Sequence, residues 1–135
     1  MITWITALYP EAKGLITKLN LKQNNTETMY RLFEGEDCRL IVTGTGMISA
    51  AAAVSRHFAL YPAKSCHDLV INLGVAGYVS GSAGTASIGD VFLACKLTDN
   101  STGRTFYPDF LYRHPFCQLP RFVAAFALLK RYVGV

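Results

Sequence analysis

Two apolar runs, each ending in paired glycines, constrain this chain more than any other feature. The first is CRLIVTGTGMISAAAA, residues 38–53, and the second is DLVINLGVAG, residues 68–77. Glycines at the end of an apolar strand let the backbone turn sharply and let a ligand approach it closely. Two such turns on neighbouring strands line one crevice at the strand ends, where open α/β sheets bind ligands. A third segment, SIGDVFLACKLTDNSTGRTFYPD over residues 87–109, follows soon after.

The composition is that of a folded chain. It has 135 residues, one domain at most, with 51% hydrophobic and 16% charged residues. The net charge of +4 is uneven: residues 1–120 hold 10 Lys/Arg against 9 Asp/Glu, and the remainder adds Arg121, Lys130 and Arg131 with no acid. The basic pI thus reports a tail, and no basic run interleaved with aromatics argues for nucleic acid. Cys38, Cys66, Cys95 and Cys117 form no CxxC pair and read as buried free thiols of a reducing, cytoplasmic compartment. The N-terminus lacks the charged and apolar regions of a signal peptide, and the apolar run over residues 122–129 is too short to cross a bilayer.

Along the chain, residues 2–8 read as a buried strand. Pro10 suits the first turn of a helix, and Leu15, Ile16 and Leu19 carry helical spacing to Asn20. Residues 23–27 read as a polar loop, and residues 28–33 and 38–43 as strands about the turn Glu34-Gly35-Glu36-Asp37. Residues 47–61 are alanine-rich and helical, stopped by Pro62. The run 68–73 predicts a strand covered on both faces. Residues 78–87 read as a loop and 91–97 as a strand. Residues 101–118 read as irregular, and 122–132 as a short helix.

Each motif has a plain alternative. Gly44-Thr45-Gly46 joins a strand to a helix whose free N–H groups can hold an anion or a sugar hydroxyl, or it is only a tight turn. Ser49 breaks a dinucleotide GxGxxG pattern, and no GK[ST] is present, so there is no P-loop. Gly74-Val75-Ala76-Gly77 either lets a flat ring lie on the backbone or is a packing bulge. Glu11 can deprotonate a water in the crevice, or merely complement a helix dipole. Asp90 reads as a turn cap. Arg104, Asp109, Arg113 and His114 form either an anion pocket or a solvated network. His57 and His67 have neither nucleophile nor ligand spacing around them, and no metal set or Ser-His-Asp triad can be assembled.

Taken together, TALYPEAKGLITKL, VTGTGMISAAAA, LVINLGVAG and IGDVF resemble the purine nucleoside phosphorylase and methylthioadenosine/adenosylhomocysteine nucleosidase superfamily. The resemblance covers residues 1–116, the N-terminal half of a family domain. Residues 117–135 form an atypical apolar, basic tail, which is expected to come from a frameshift or premature stop. The resemblance implies an α/β fold: a three-layer α/β/α sandwich about a twisted mixed sheet, truncated here, in a homo-oligomer. It implies cleavage of an N-glycosidic bond in a 5′-substituted adenosine, without cofactor or metal. The only partners expected are that small-molecule nucleoside and further copies of the chain, with neither nucleic acid nor membrane. In Ala7-Leu8-Tyr9-Pro10-Glu11, Glu11 stands where the nucleosidases place the carboxylate that activates water. The phosphate-binding Gly-Asp-Pro-x-Arg loop of the phosphorylases is missing. By the same resemblance Ala7, Thr43, Gly44, Thr45, Gly46 and Met47 contact substrate, as do Val75, Ala76, Gly77, Phe106 and Tyr107. Val75 stands where many nucleosidases have Ser. The family's general acid, an Asp of the second half, has no counterpart, so the chain alone is expected to be a poor catalyst. Phosphorolysis and a non-catalytic half-domain are the alternatives.

Overall fold

The computed structural model describes residues 1–62, 68–77, 87–92, 94 and 96–106. The chain divides into two compact units, Met1–Gly77 and Tyr78–Val135.

In the first unit the chain runs β1 (Ile2–Thr6), α1 (Tyr9–Lys18), β2 (Lys22–Asn24), β3 (Arg31–Glu34), β4 (Cys38–Val42), α2 (Met47–Leu60) and β5 (Leu69–Asn72). The sheet order is β2-β3-β4-β1-β5. β1 pairs in parallel with β4 on one side (Trp4 opposite Leu40) and β5 on the other (Trp4 opposite Ile71). β2, β3 and β4 form an antiparallel meander. The unit is thus mixed α/β, with a five-stranded mixed sheet and two helices among the described residues.

Strand alternation sorts the side chains onto two faces. On one face Trp4, Phe33 and Leu40 share a side of the sheet with α1, which buries Ala12 and Leu15. Tyr9 of α1 stacks on Phe33 at 6.1 Å, and the Arg31 guanidinium lies 5.4 Å from the Tyr9 ring centre. On the other face Tyr30, Leu32 and Ile41 meet Ala53 of α2, with the partly buried Ile5, Val54 and Tyr61 packed against them. Arg39 projects to that face, its guanidinium 4.2 Å from the Tyr61 ring centre and its Nε donating to Glu34 at 3.1 Å. One helix therefore covers each face.

His57 is the polar member of this core. It is 1% exposed and shares a 2.9 Å hydrogen bond between Nδ1 and the Tyr30 hydroxyl. Phe58 and Tyr61 close around its ring at 5.3 and 5.1 Å. Burial pushes the His57 imidazole below its ordinary range, and Arg39 adds to that push against Glu34 and Glu27.

Several expectations change. Residues 23 and 24, expected in a polar loop over 23–27, belong instead to β2 (Lys22–Asn24), because pairing with β3 satisfies a polar edge strand that carries no apolar pattern. The third strand starts at Arg31 rather than at Thr28, because Glu27 turns its carboxylate onto the Met29 N–H and onto Arg56. β5 is not covered on both faces: Val70 is 48% exposed, and β5 lies at the sheet edge among the described residues. Cys38 is a free thiol but only half-buried. Cys66, Cys95 and Cys117 lie outside the described residues, as does most of the expected 78–87 loop.

In the second unit β6 (Leu97–Thr98) and β7 (Thr105–Phe106) pair as a hairpin. The strand expected over 91–97 is not formed at residues 91, 92, 94 and 96, and pairing begins only at Leu97. The turn between β6 and β7 is organised by Asp99. Its carboxylate accepts from the Ser101 N–H at 2.9 Å, the Ser101 hydroxyl at 2.7 Å and the Thr102 hydroxyl at 2.6 Å. These bonds, the Thr102 hydroxyl foremost, pull the Asp99 carboxyl down to about 2. Asp90 caps its turn as read from the sequence, accepting from the Ser87 N–H at 2.8 Å. The helix expected over 122–132 and the residues Asp109, Arg113, His114 and His67 lie outside the described residues.

Candidate functional site

β1, β4 and β5 point the same way, so their C-terminal ends meet at one edge of the sheet. Here the chain leaves β1 toward α1 on one face and leaves β4 toward α2 on the other. Adjacent parallel strands whose connections part to opposite faces open a crevice between them, the place where α/β sheets bind ligands.

Three segments border this edge, and the two glycine turns follow β4 and β5, which are not neighbouring strands as expected but flank β1, because β1 pairs in parallel with both. The first follows β1. The ladder continues one step past the strands, with Thr43 N–H donating to Thr6 O at 2.9 Å and Gly44 N–H to Ala7 O at 3.0 Å. The Ala7 and Leu8 N–H groups then turn away to the side chain of Glu11, the third residue of α1, both donating to Oε2 at 3.1 and 2.9 Å. This is one half of a capping box. Leu8, the N-cap, has no side-chain acceptor to return the bond.

The second segment is Gly44-Thr45-Gly46, which passes the chain into α2. Gly44 and Gly46 have φ of +82° and +92°, a region L residues rarely enter. Thr43 is held by its hydroxyl, whose single proton is shared between Gly44 O at 3.0 Å and Thr6 O at 3.3 Å. Thr45, Gly46 and Met47 are exposed.

The third segment follows β5. Leu73 N–H makes a last ladder-like bond to Ile5 O at 2.8 Å. Beyond it the Val75 N–H donates to Glu11 Oε1 at 3.2 Å. Gly74 lies against the same carboxylate, and a Cβ there would stand 3.6 Å from Oε1. Ala76 and Gly77 are exposed.

The structure therefore brings Ala7, Glu11, Thr43, Gly44, Thr45, Gly46, Met47, Val75, Ala76 and Gly77 to one sheet edge. Phe106 lies in β7 of the second unit, and Tyr107 lies outside the described residues. Exposed apolar side chains frame the edge: Met47 at 72%, Ile48 at 88% and Val75 at 86%. Sequence reading missed Ile48, Leu8 and the bond from Val75 to Glu11. The apolar residues were legible as exposed positions at a helix start, but a contact between residues 64 apart leaves no local signal. Among the described residues no group of His, Cys, Asp and Glu is placed to hold a metal ion, and no helix is long and apolar enough to cross a membrane.

Chemically, the edge offers the Glu11 carboxylate, a start of α2 that has no side-chain cap, and exposed apolar side chains. Comparison of the sequence with protein-family models and with curated proteins finds no significant match.

Proposed function

We propose that this chain carries the water-activating half of a purine-nucleoside N-glycosidase, built on a three-layer α/β/α sandwich of the nucleoside phosphorylase type. The observation that carries the reading is the seating of Glu11, a carboxylate at the C-terminal edge between two glycine turns, beside an apolar rim. In this reading a ribose lies along Thr43–Gly46 and Val75–Gly77, and the apolar 5′ substituent of an adenosine meets the Met47 and Val75 side chains. Glu11 Oε1 accepts a proton from a water that attacks the anomeric carbon as the bond to the base breaks. The electron pair of that bond leaves with the base, and the oxocarbenium-like sugar gains from the carboxylate charge beside it. A negative side chain at this place disfavours a bound phosphate, which supports hydrolysis over phosphorolysis. The reading carries with it a cytoplasmic homo-oligomer.

Protonation of the base needs an acid that the described residues do not supply. Binding and turnover are therefore expected to part. Isothermal titration with 5′-methylthioadenosine should show binding that Glu11→Gln weakens. Adenine release should be slow and indifferent to added phosphate. Absence of nucleoside binding at millimolar ligand sinks the reading, and phosphate-dependent release of base replaces it with phosphorolysis.

A further inference from the structure

The two oxygens of Glu11 hold different pieces of chain. Oε2 takes the Ala7 and Leu8 N–H groups at the start of α1, and Oε1 takes the Val75 N–H from the loop after β5. That second contact is singular. Residues 74–77 are all exposed, and among the described residues their one hydrogen bond is the bond from Val75 to Glu11. The preceding residue pair is anchored differently, by Leu73 N–H on Ile5 O. The loop is flanked by Gly74 and Gly77, which leave its backbone little side-chain restraint. Gly74 lets the carboxylate come close, since a Cβ there would already touch Oε1.

We propose that Glu11 is a latch whose Oε1 holds the Gly74-Val75-Ala76-Gly77 loop against the turn that starts α1. The loop is held while Oε1 is on Val75 and released when Oε1 is engaged elsewhere. Where this meets the functional reading, on which only the consequence rests, drawing Oε1 toward water and loosening the substrate loop are one event.

Residue-resolved amide hydrogen exchange on the full chain tests the latch without any ligand. In the wild type, Val75 exchanges about tenfold or more slowly than Ala76 and Gly77 after correction for sequence, the protection that one retained bond gives to an exposed loop. Glu11→Ala brings Val75 level with Ala76 while Leu73 keeps its protection. Glu11→Asp keeps a carboxylate but is one methylene shorter; seated on the Ala7 and Leu8 N–H groups it no longer reaches Val75, which then exchanges level with Ala76. Val75 exchanging as fast as Ala76 in the wild type overturns the latch. So does Val75 protection that survives Glu11→Ala. If Glu11→Ala strips Leu73 as well, the whole sheet edge has loosened, and Glu11→Asp decides: intact Leu73 with Val75 level with Ala76 supports the latch, and Val75 still slower than Ala76 refutes it. Nucleoside binding bears on the functional reading and not on this result, so the two fail separately.

Discussion

Tyr30 and His57, 27 residues apart, share a hydrogen bond of 2.9 Å inside the core beneath α2. The Tyr30 hydroxyl serves Nδ1, whereas Nε2 is buried without a hydrogen-bond partner among the described residues. The imidazole is therefore held neutral by its surroundings. A second proton on the ring would place a charge among aromatic rings with the Arg39 guanidinium close by.

This pair sets a pH dependence at each end of the range. Burial depresses the His57 pKa below its ordinary 6.5. As pH falls through 6.5 the unfolded chain binds a proton that the folded chain refuses, so stability falls with it. Burial likewise pushes the Tyr30 phenol from 10.0 up to about 12. Between those values the unfolded chain loses a proton that the folded chain keeps, so stability also falls as pH rises. Urea denaturation midpoints should decline below pH 6.5, and His57→Phe should flatten that decline. Tyr30→Phe strands Nδ1 and should cost about 1–3 kcal/mol at neutral pH.

Two glycines predict opposite results for the same substitution. Gly46 caps α2 with φ +92° and ψ 154°, and a Cβ there would meet nothing within 4 Å. Gly46→Ala therefore pays backbone strain alone, about 1–3 kcal/mol. Gly14 sits inside α1 with equally open space around it and no positive φ. Gly14→Ala should stabilise by about 0.5–1 kcal/mol. Thermal melts of both variants read the contrast, and destabilisation by Gly14→Ala would count against the helix as described.

Leu32 and Leu40 are fully buried on opposite faces of the sheet. Truncating either to Ala should cost about 2–5 kcal/mol, the sum of lost burial and a residual cavity. A single transition, coincident by different probes, in both variants would show that both helix-covered faces belong to one cooperative unit. A negligible loss at either would mean that its face is not packed.

Asp99 organises the β6–β7 turn through three side-chain and backbone donors. Asp99→Ala should free the Ser101 N–H and loosen the hairpin locally, read as faster Ser101 amide exchange. Because its carboxyl is drawn from 3.8 to about 2, the turn is held above pH 3.8 and released as pH falls toward 2. Chemical shifts of Ser101 and Gly103 across that interval report it directly. An inflection at the ordinary carboxylate value would contradict the bonding described.

Much of the first unit was legible because its signals are local. The apolar run before Thr6, the proline at the start of α1 and the alanine-rich stretch before Pro62 each act within a few residues. The glycines at 44 and 46 announced a turn that needs positive φ, and both adopt it. β2 was not legible, because Lys22, Gln23 and Asn24 carry no strand pattern and are ordered only by the partner they meet. The hairpin of the second unit begins later than its apolar run for a related reason: Leu97 and Thr98 have Phe106 and Thr105 opposite them. His57 gave no sign of its place. A lone histidine on an alanine-rich helix has no periodic meaning until Tyr30 is brought to it.

The sequence by itself determined where strands and helices alternate, where the backbone must turn through glycine, and that one carboxylate, Glu11, follows the first strand. These follow from backbone sterics and hydrophobic period, which act over a few residues. Only the tertiary structure decided that β1 lies between β4 and β5, that their ends form one edge, and that Glu11 reaches Val75 across 64 residues of chain. Such contacts depend on which strands pair and to which face each connection turns, and both are settled by burying two faces of one sheet at once.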